Sequence, residues 1–124
     1  MAVILIAEDE LHIVRVLSLW LHRHGHRIVE ARNGVEALQR LDEEPVELVI
    51  SDVNMPGMDG LALVKAIRED RGLKVPVLML SARCDQMQLS KQIRSYGIQL
   101  FPKPFVPSQI VEEIDRLLQA AAAS

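Results

Sequence analysis

Four short clusters of polar residues stand where apolar runs stop: Glu8-Asp9-Glu10, Ser51-Asp52-Val53-Asn54, Ser81-Ala82 and Lys103-Pro104. Brought into one pocket, the carboxylates of Glu8, Asp9 and Asp52 would repel each other, and unless some stayed protonated they would need a cation. Hard oxygen ligands in a shallow, wet site suit Mg²⁺ (or Mn²⁺), which keeps several waters and pairs with phosphate oxygens. A carboxylate beside such an ion can act as a nucleophile toward phosphorus. A transferring phosphoryl group spreads its charge over three equatorial oxygens. A metal ion, the ammonium of Lys103 and the hydroxyl of Ser81 are the groups such oxygens call for.

Whether the clusters meet depends on the elements between them. Ala2 to Ala7 is a continuous apolar run bounded by acids, too short for a stable helix, and it reads as a strand buried on both faces. From Leu11 to His24 apolar residues recur at Ile13, Val16, Leu17, Trp20 and Leu21, the offsets of an amphipathic helix, with Gly25 as its stop. The alternation continues with strands over His26–Ala31, Val46–Ser51, Val75–Leu80 and Ile98–Phe101. Helices fall over Val35–Leu41, about Met58–Arg71, Gln86–Tyr96 (the weakest) and a last segment marked by Ile110, Ile114, Leu117 and Leu118.

Five strands alternating with five helices predict an α/β fold, a doubly wound parallel sheet with helices on both faces. The flavodoxin-like order 2-1-3-4-5 is the common five-stranded (βα)5 version, although periodicity alone does not determine it. In that order strands 1, 3, 4 and 5 are neighbours. Their carboxyl ends carry the four clusters, where ligands of such folds bind. Strand 2 ends in Glu30-Ala31-Arg32, with no matching cluster.

Composition bounds the rest. With 124 residues there is room for one core; 49% hydrophobic and 3% aromatic residues make that core aliphatic. A net charge of -3 is no footprint for nucleic acid, so direct nucleic-acid binding by this chain is not expected. The apolar run Met1–Ala7 is far short of the ~20 residues that span a bilayer. It lacks the basic start of a signal peptide, so no membrane association is expected. Cys84 is the one cysteine, consistent with a cytoplasmic location.

The clusters together resemble the response-regulator receiver domain, and the similarity runs from Val3 to about Leu118, which assigns 1–119 to the receiver and 120–124 to a helix end or the start of a linker. It rests on Glu8-Asp9, Asp52-Val53-Asn54-Met55-Pro56-Gly57-Met58-Asp59-Gly60, Ser81-Ala82 and Lys103-Pro104-Phe105. The resemblance implies Asp52 as phosphoacceptor, Asp9 as direct metal ligand, Glu8 as an acid holding the metal through water, and the backbone carbonyl of Asn54 as a further ligand. It implies that Ser81 follows the phosphoryl group and that Lys103 pairs with it, with a Lys103–Pro104 bond that is commonly cis. Arg83 and Asn54 match variable positions that influence the life of the phosphoryl group, and Ala82 sits beside them. The implied partners are a sensor histidine kinase or histidine phosphotransfer protein as donor, and an output domain or target protein. A homodimer through the 86–96 helix, the 98–101 strand and the last helix is a further arrangement of the family. No separate turnover substrate is implied.

One departure matters. Leu100 stands where relatives usually carry Tyr or Phe, whose ring turns inward when the hydroxyl moves. Phe101 is one residue along and is expected on the opposite face of the strand. Three other readings compete. A pseudo-receiver would use the fold purely for binding, against the intact acid–Asp–Ser–Lys set. A flavin or nucleotide protein would need a Gly- or Ser/Thr-rich phosphate loop after strand 1, where this chain has three acids. An aspartate-nucleophile phosphatase would want a second Asp two residues on, where this chain has Asn54. Met55, Met58, Met79 and Met87 read as gap fillers and Trp20 as packing; Cys84 reads as an inert thiol, and His22, His24 and His26 as a solvated helix end.

Overall fold

The computed structural model describes residues 2–55, 57–81 and 96–123. In chain order these form β1 (Val3–Ala7), α1 (Leu11–Arg23), β2 (Arg27–Ala31), α2 (Gly34–Glu43) and β3 (Leu48–Asp52). There follow α3 (Gly60–Lys65), running on into a wide π-type turn over Ala66–Asp70, then β4 (Val77–Ser81), β5 (Gln99–Pro102) and α4 (Pro107–Ala123). The strands form one parallel sheet in the order β2-β1-β3-β4-β5. The expected doubly wound topology is thus present; of the helix expected over 86–96, all but Tyr96 lies outside the described residues.

The sheet is buried on both sides because its strands are apolar at nearly every position. Successive side chains point to opposite faces. Ile4, Ile6, Leu48, Ile50, Leu78 and Leu80 therefore pack with Val14, Leu17 and Leu21 of α1 and Ile110, Val111 and Ile114 of α4. Leu5, Ala7, Val29, Val49 and Met79 pack on the other side with Ala37 and Leu38 of α2 and Leu63, Val64 and Ile67 of α3 and its turn. Trp20 joins the first cluster, and Met55 and Met58 the second, as packing residues.

The chain punctuation follows from single residues. Gly25 ends α1 at φ +85, with its N–H on the His22 carbonyl at 3.0 Å. The Asn33 side chain caps α2 by accepting from the Glu36 N–H at 2.8 Å, and Asp59 caps α3 by accepting from the Ala62 N–H at 2.8 Å.

β4 begins at Val77 and not at Val75, because Pro76 has no N–H to give the ladder, although its carbonyl still accepts from the Val49 N–H at 3.0 Å. β3 and β4 each run one residue further than the apolar runs suggested, to Asp52 and Ser81. Ladder bonds from the Val53 N–H to the Leu80 carbonyl (3.0 Å) and from the Lys103 N–H to the Ser81 carbonyl (2.8 Å) carry the pairing to the edge.

The helix expected up to Arg71 widens after Lys65, where the Arg71 N–H reaches five residues back to the Ala66 carbonyl at 3.0 Å. Arg68, in that turn, donates to the carbonyls of Tyr96 and Leu73, both at 2.9 Å. The solvated-end reading holds for His22 and His24 but not for His26. His26 is buried, and its Nδ1 accepts from the Ala2 N–H at 3.2 Å.

Leu78 is fully buried between α1 and α4. Leu78→Ala is expected to cost about 2–5 kcal/mol of unfolding free energy, read by urea denaturation, with cavity and transfer contributions adding.

Candidate functional site

The carboxyl edge of the sheet brings the polar clusters together. β1 stops at Ala7, and the Glu8 N–H still pairs with the Ala31 carbonyl at 3.0 Å, so Glu8 keeps strand register and is buried. Asp52 is the last residue of the neighbouring strand β3 and is also buried. Asp9, at the start of the β1–α1 loop, is exposed. Ligand-capable oxygens of Glu8, Asp9 and Asp52 all lie within 4.8 Å of one another.

Lys103 enters from the end of β5. Its Nζ is 3.0 Å from Asp52 Oδ1 and 3.8 Å from Glu8 Oε2. The Lys103–Pro104 peptide bond is cis. Ser81 ends β4, between the ends of β3 and β5.

Among the described residues, two buried atoms at this edge are left without hydrogen bonds. Glu8 Oε1 accepts from the Glu10 N–H at 3.3 Å, but the buried Oε2 makes none, and neither does the buried Ser81 hydroxyl. Buried polar atoms normally find partners, and leaving one unsatisfied costs about 1–3 kcal/mol. A carboxylate oxygen lacking a donor and a hydroxyl lacking an acceptor are what a cation and an anionic oxygen would respectively complete. The donor set, three carboxylates converging on one point, therefore fits a hard divalent ion such as Mg²⁺.

Charge and burial pull against each other here. Burial, reinforced by the charge of Asp52, pushes Glu8 up to about 7. Burial also raises Asp52, against the lowering influence of Lys103. For Lys103 burial works against the charge, but the hydrogen bond to Asp52 and the charges of Glu8 and Asp52 outweigh it, and its pKa rises. Among the described residues a single ammonium faces these carboxylates, too little to neutralise the pocket.

Most residues expected at the site meet there: Glu8, Asp9, Asp52 and Lys103 directly, with Ser81 at the adjoining strand end. Asn54 lies exposed on the loop after β3. Leu100 is half-buried on the α2–α3 side of the sheet together with Tyr96, and Phe101 is on the α1–α4 side beside Phe105, as the strand alternation requires. Pro56, Ala82, Arg83 and Cys84 lie outside the described residues.

Gly34 carries no role in the site read from the sequence, and Gly60 enters it only as the end of the Asp52–Gly60 motif. A side chain on Gly60 would fall on the Asp52 carbonyl, and one on Gly34 would fall on Met58. The signal available was a glycine immediately after each helix cap, Asn33 and Asp59.

These features define a doubly wound α/β domain whose carboxyl edge holds an acidic, lysine-bearing site. The chain belongs to the response regulator receiver domain family of two-component systems, whose model matches residues 4–115. It is 37% identical over 121 residues to "Response regulator GtcR" of Aneurinibacillus migulanus, covering 95% of this chain and 48% of that protein. It is 33% identical over 119 residues to "Transcriptional regulatory protein ResD" of Bacillus subtilis (strain 168), covering 96% and 49%. The chain thus spans about half the length of these curated relatives. The solved structure of the chemotaxis response regulator CheY4 of Vibrio cholerae superposes with a TM-score of 0.86 at 31% identity, covering 94% of this chain and 98% of that one. Among the described residues no helix is long and apolar enough to cross a membrane.

A carboxyl raised in the folded state binds its proton more tightly folded than unfolded. Its contribution to stability is complete below the ordinary value of 4.5 and is lost as pH rises to about 7. Glu8→Gln removes that loss. In chelator-treated protein the variant's Tm advantage over wild type is expected to grow from roughly pH 5 to roughly pH 8, reaching about 5 °C. A constant Tm difference across that range would contradict the raised value.

Proposed function

We propose that this receiver accepts a phosphoryl group on Asp52 from the phosphohistidine of a sensor histidine kinase or histidine phosphotransfer protein, and that the modified state switches a partner-binding face. The observation that supports it most is the buried Asp52 carboxylate, 3.0 Å from the Lys103 ammonium, with an unpartnered Ser81 hydroxyl at the adjoining strand end.

In the step proposed, an Asp52 carboxylate oxygen forms the new P–O bond as the P–N bond to the donor imidazole breaks. The bonding pair returns to the imidazole nitrogen, which takes up a proton. Lys103 holds positive charge against the phosphoryl oxygens, and the Ser81 hydroxyl donates a hydrogen bond to one of them. Glu8, Asp9, Asp52 and the backbone carbonyl of Asn54 would hold Mg²⁺ (or Mn²⁺). When bound, that ion offsets the repulsion of the carboxylates and the charge of the group being transferred.

Hydrolysis of the phospho-Asp52 bond resets the domain, so there is no separate turnover substrate. Arg83, Ala82 and Asn54 are the positions we assign to tuning the lifetime of the phosphoryl group. Leu100 has no ring to turn inward, so the switch in this chain runs through Ser81 without an aromatic at that position. The receiver unit is 1–119, with 120–124 as helix end or linker start. The output domain or target protein, and a dimer through the segment before β5, β5 itself and α4, complete the proposed partnerships. The balance of charge supports no direct nucleic-acid contact by this chain, and a cytoplasmic setting fits the proposed donors.

A small phosphodonor such as acetyl phosphate, with Mg²⁺, is expected to add one phosphoryl group, read by intact mass, and Asp52→Asn to abolish it. Labelling that persists in that variant would refute the site. Failure of the wild type to accept the group would favour a receiver that acts purely as a binding module. Ser81→Ala is expected to slow phosphorylation by roughly 10²-fold.

Mg²⁺ at ten times its Kd is expected to stabilise the fold by about 1.4 kcal/mol by mass action. Asp9→Asn should lose most of that gain in a thermal melt.

A further inference from the structure

The loop that follows Asp52 is pressed from two sides by helices whose first residues have no side chain. Gly60 opens α3, and a Cβ there would land on the Asp52 carbonyl oxygen and 2.9 Å from Val53 Cα. The Gly60 N–H donates to the Val53 carbonyl at 2.8 Å, so the helix start also rests on the residue that follows the site carboxylate. Gly34 opens α2 and is buried. A Cβ there would lie 2.6 Å from Met58 Cγ, 2.8 Å from Met58 Cβ and 2.9 Å from the Met58 carbonyl oxygen. Real carbon atoms do not approach so closely, so an added methyl must move something.

What moves follows from the anchoring. α2 cannot back away. Ala37 and Leu38 are buried with Leu63 and Val64 of α3. At its far end Asp42 receives two hydrogen bonds from Arg71, at 3.0 and 2.8 Å. α3 is held in turn by the Asp59 cap and by the same core. Met58, half-buried in the loop between β3 and α3, is the part that yields first. That loop carries Asn54 and begins at Asp52.

We propose that Gly34 and Gly60 are positioning residues for this site. Gly60 sets the place of the Asp52 carboxylate. Gly34, from a helix that contributes no ligand, sets through Met58 the height of the loop bearing Asn54. The inference rests on the proposed metal-dependent phosphoryl acceptance, with neither glycine touching the reacting atoms. Neither glycine is needed for its own backbone conformation, since positive φ occurs only at Gly25, Gly57, Gly72 and Gly97 among the described glycines. The requirement is space alone.

The test compares Gly34→Ala, Gly60→Ala and Gly72→Ala with wild type, on the full chain. Gly72 is the control. Its φ is +61 and a Cβ there meets nothing within 4 Å, so its substitution strains the backbone far from the loop.

Three readouts apply: Mg²⁺ Kd by calorimetry, the rate of phosphorylation by acetyl phosphate, and amide chemical shifts of residues 52–59 in the metal-free protein. Gly34→Ala and Gly60→Ala are expected to weaken Mg²⁺ binding about tenfold or more and to shift the 52–59 amides. Gly72→Ala is expected to lower Tm while leaving Kd and those amides at wild-type values. In a Gly34→Ala, Met58→Ala double variant one of the three close contacts, the 2.6 Å one to Met58 Cγ, is removed, while those to Cβ and the carbonyl oxygen remain. Part of the affinity should return, a coupling that a merely destabilising effect would not produce.

If Gly60→Ala does not fold, the Gly34 and Met58 variants decide. Wild-type Kd and unshifted 52–59 amides in folded Gly34→Ala overturn the inference while the proposed function stands. A wild type that takes neither Mg²⁺ nor a phosphoryl group overturns both.

Discussion

Two buried carboxylates share one ammonium, and the rest of the molecule is arranged around that imbalance. Asp52 ends β3 and Glu8 directly follows the neighbouring strand β1, which places their side chains at one edge of the sheet whatever the solvent prefers. Lys103 bonds to Asp52 and stands 3.8 Å from Glu8, leaving Glu8 raised to about 7. A fold that only sought stability would place neutral side chains there, because an unpaired buried charge is among the costliest features a core can carry. The site is instead held short of neutrality, a charge balance that suits a cation.

The sheet is what makes that tolerable. Its central strands contribute side chains to two separate cores, and residues such as Ile6, Leu48, Leu78 and Leu80 are shielded completely. Each such side chain contributes about 1.5–3 kcal/mol. The polar edge therefore sits on a scaffold whose stability comes mostly from elsewhere. Main-chain ladder bonds continue past the apolar runs to Asp52 and Ser81, so the reactive groups are parts of strands and not loop residues. That gives rigid placement to the two groups on which the proposed transfer rests.

Much of this was legible in the residues themselves. The apolar runs from Ala2, Val46 and Val75, each followed by acids or a hydroxyl, marked the parallel strands and the edge where ligands bind. Their ends were off by one or two residues, because Pro76 withholds a donor and because ladder bonds reach past the last apolar residue. The π-type turn after Lys65 was invisible: its apolar residues Leu61, Val64 and Ile67 keep ordinary helical spacing, and the widening is tied to Arg68 holding carbonyls of Leu73 and Tyr96, the latter on a distant segment. His26 was misread for a similar reason, since its partner is the amide of Ala2, brought near only by strand pairing.

The same limit applies to the glycines. Composition marks a glycine as permissive backbone, and at Gly25 that is its use, with φ +85 at the end of α1. At Gly34 and Gly60 the backbone is ordinary helix and the missing atom is what counts, because the neighbour lies across the fold. A close approach of this kind shows locally only as a glycine after a helix cap, because its partner to Gly34, Met58, is 24 residues away and to Gly60, Asp52, lies before a turn. Helix starts that press on the loop after Asp52 through bare Cα atoms tie the packing of two helices to the position of one carboxylate. The precision of the site thus belongs to the interface between α2, α3 and the loop as much as to the residues that would bind the metal.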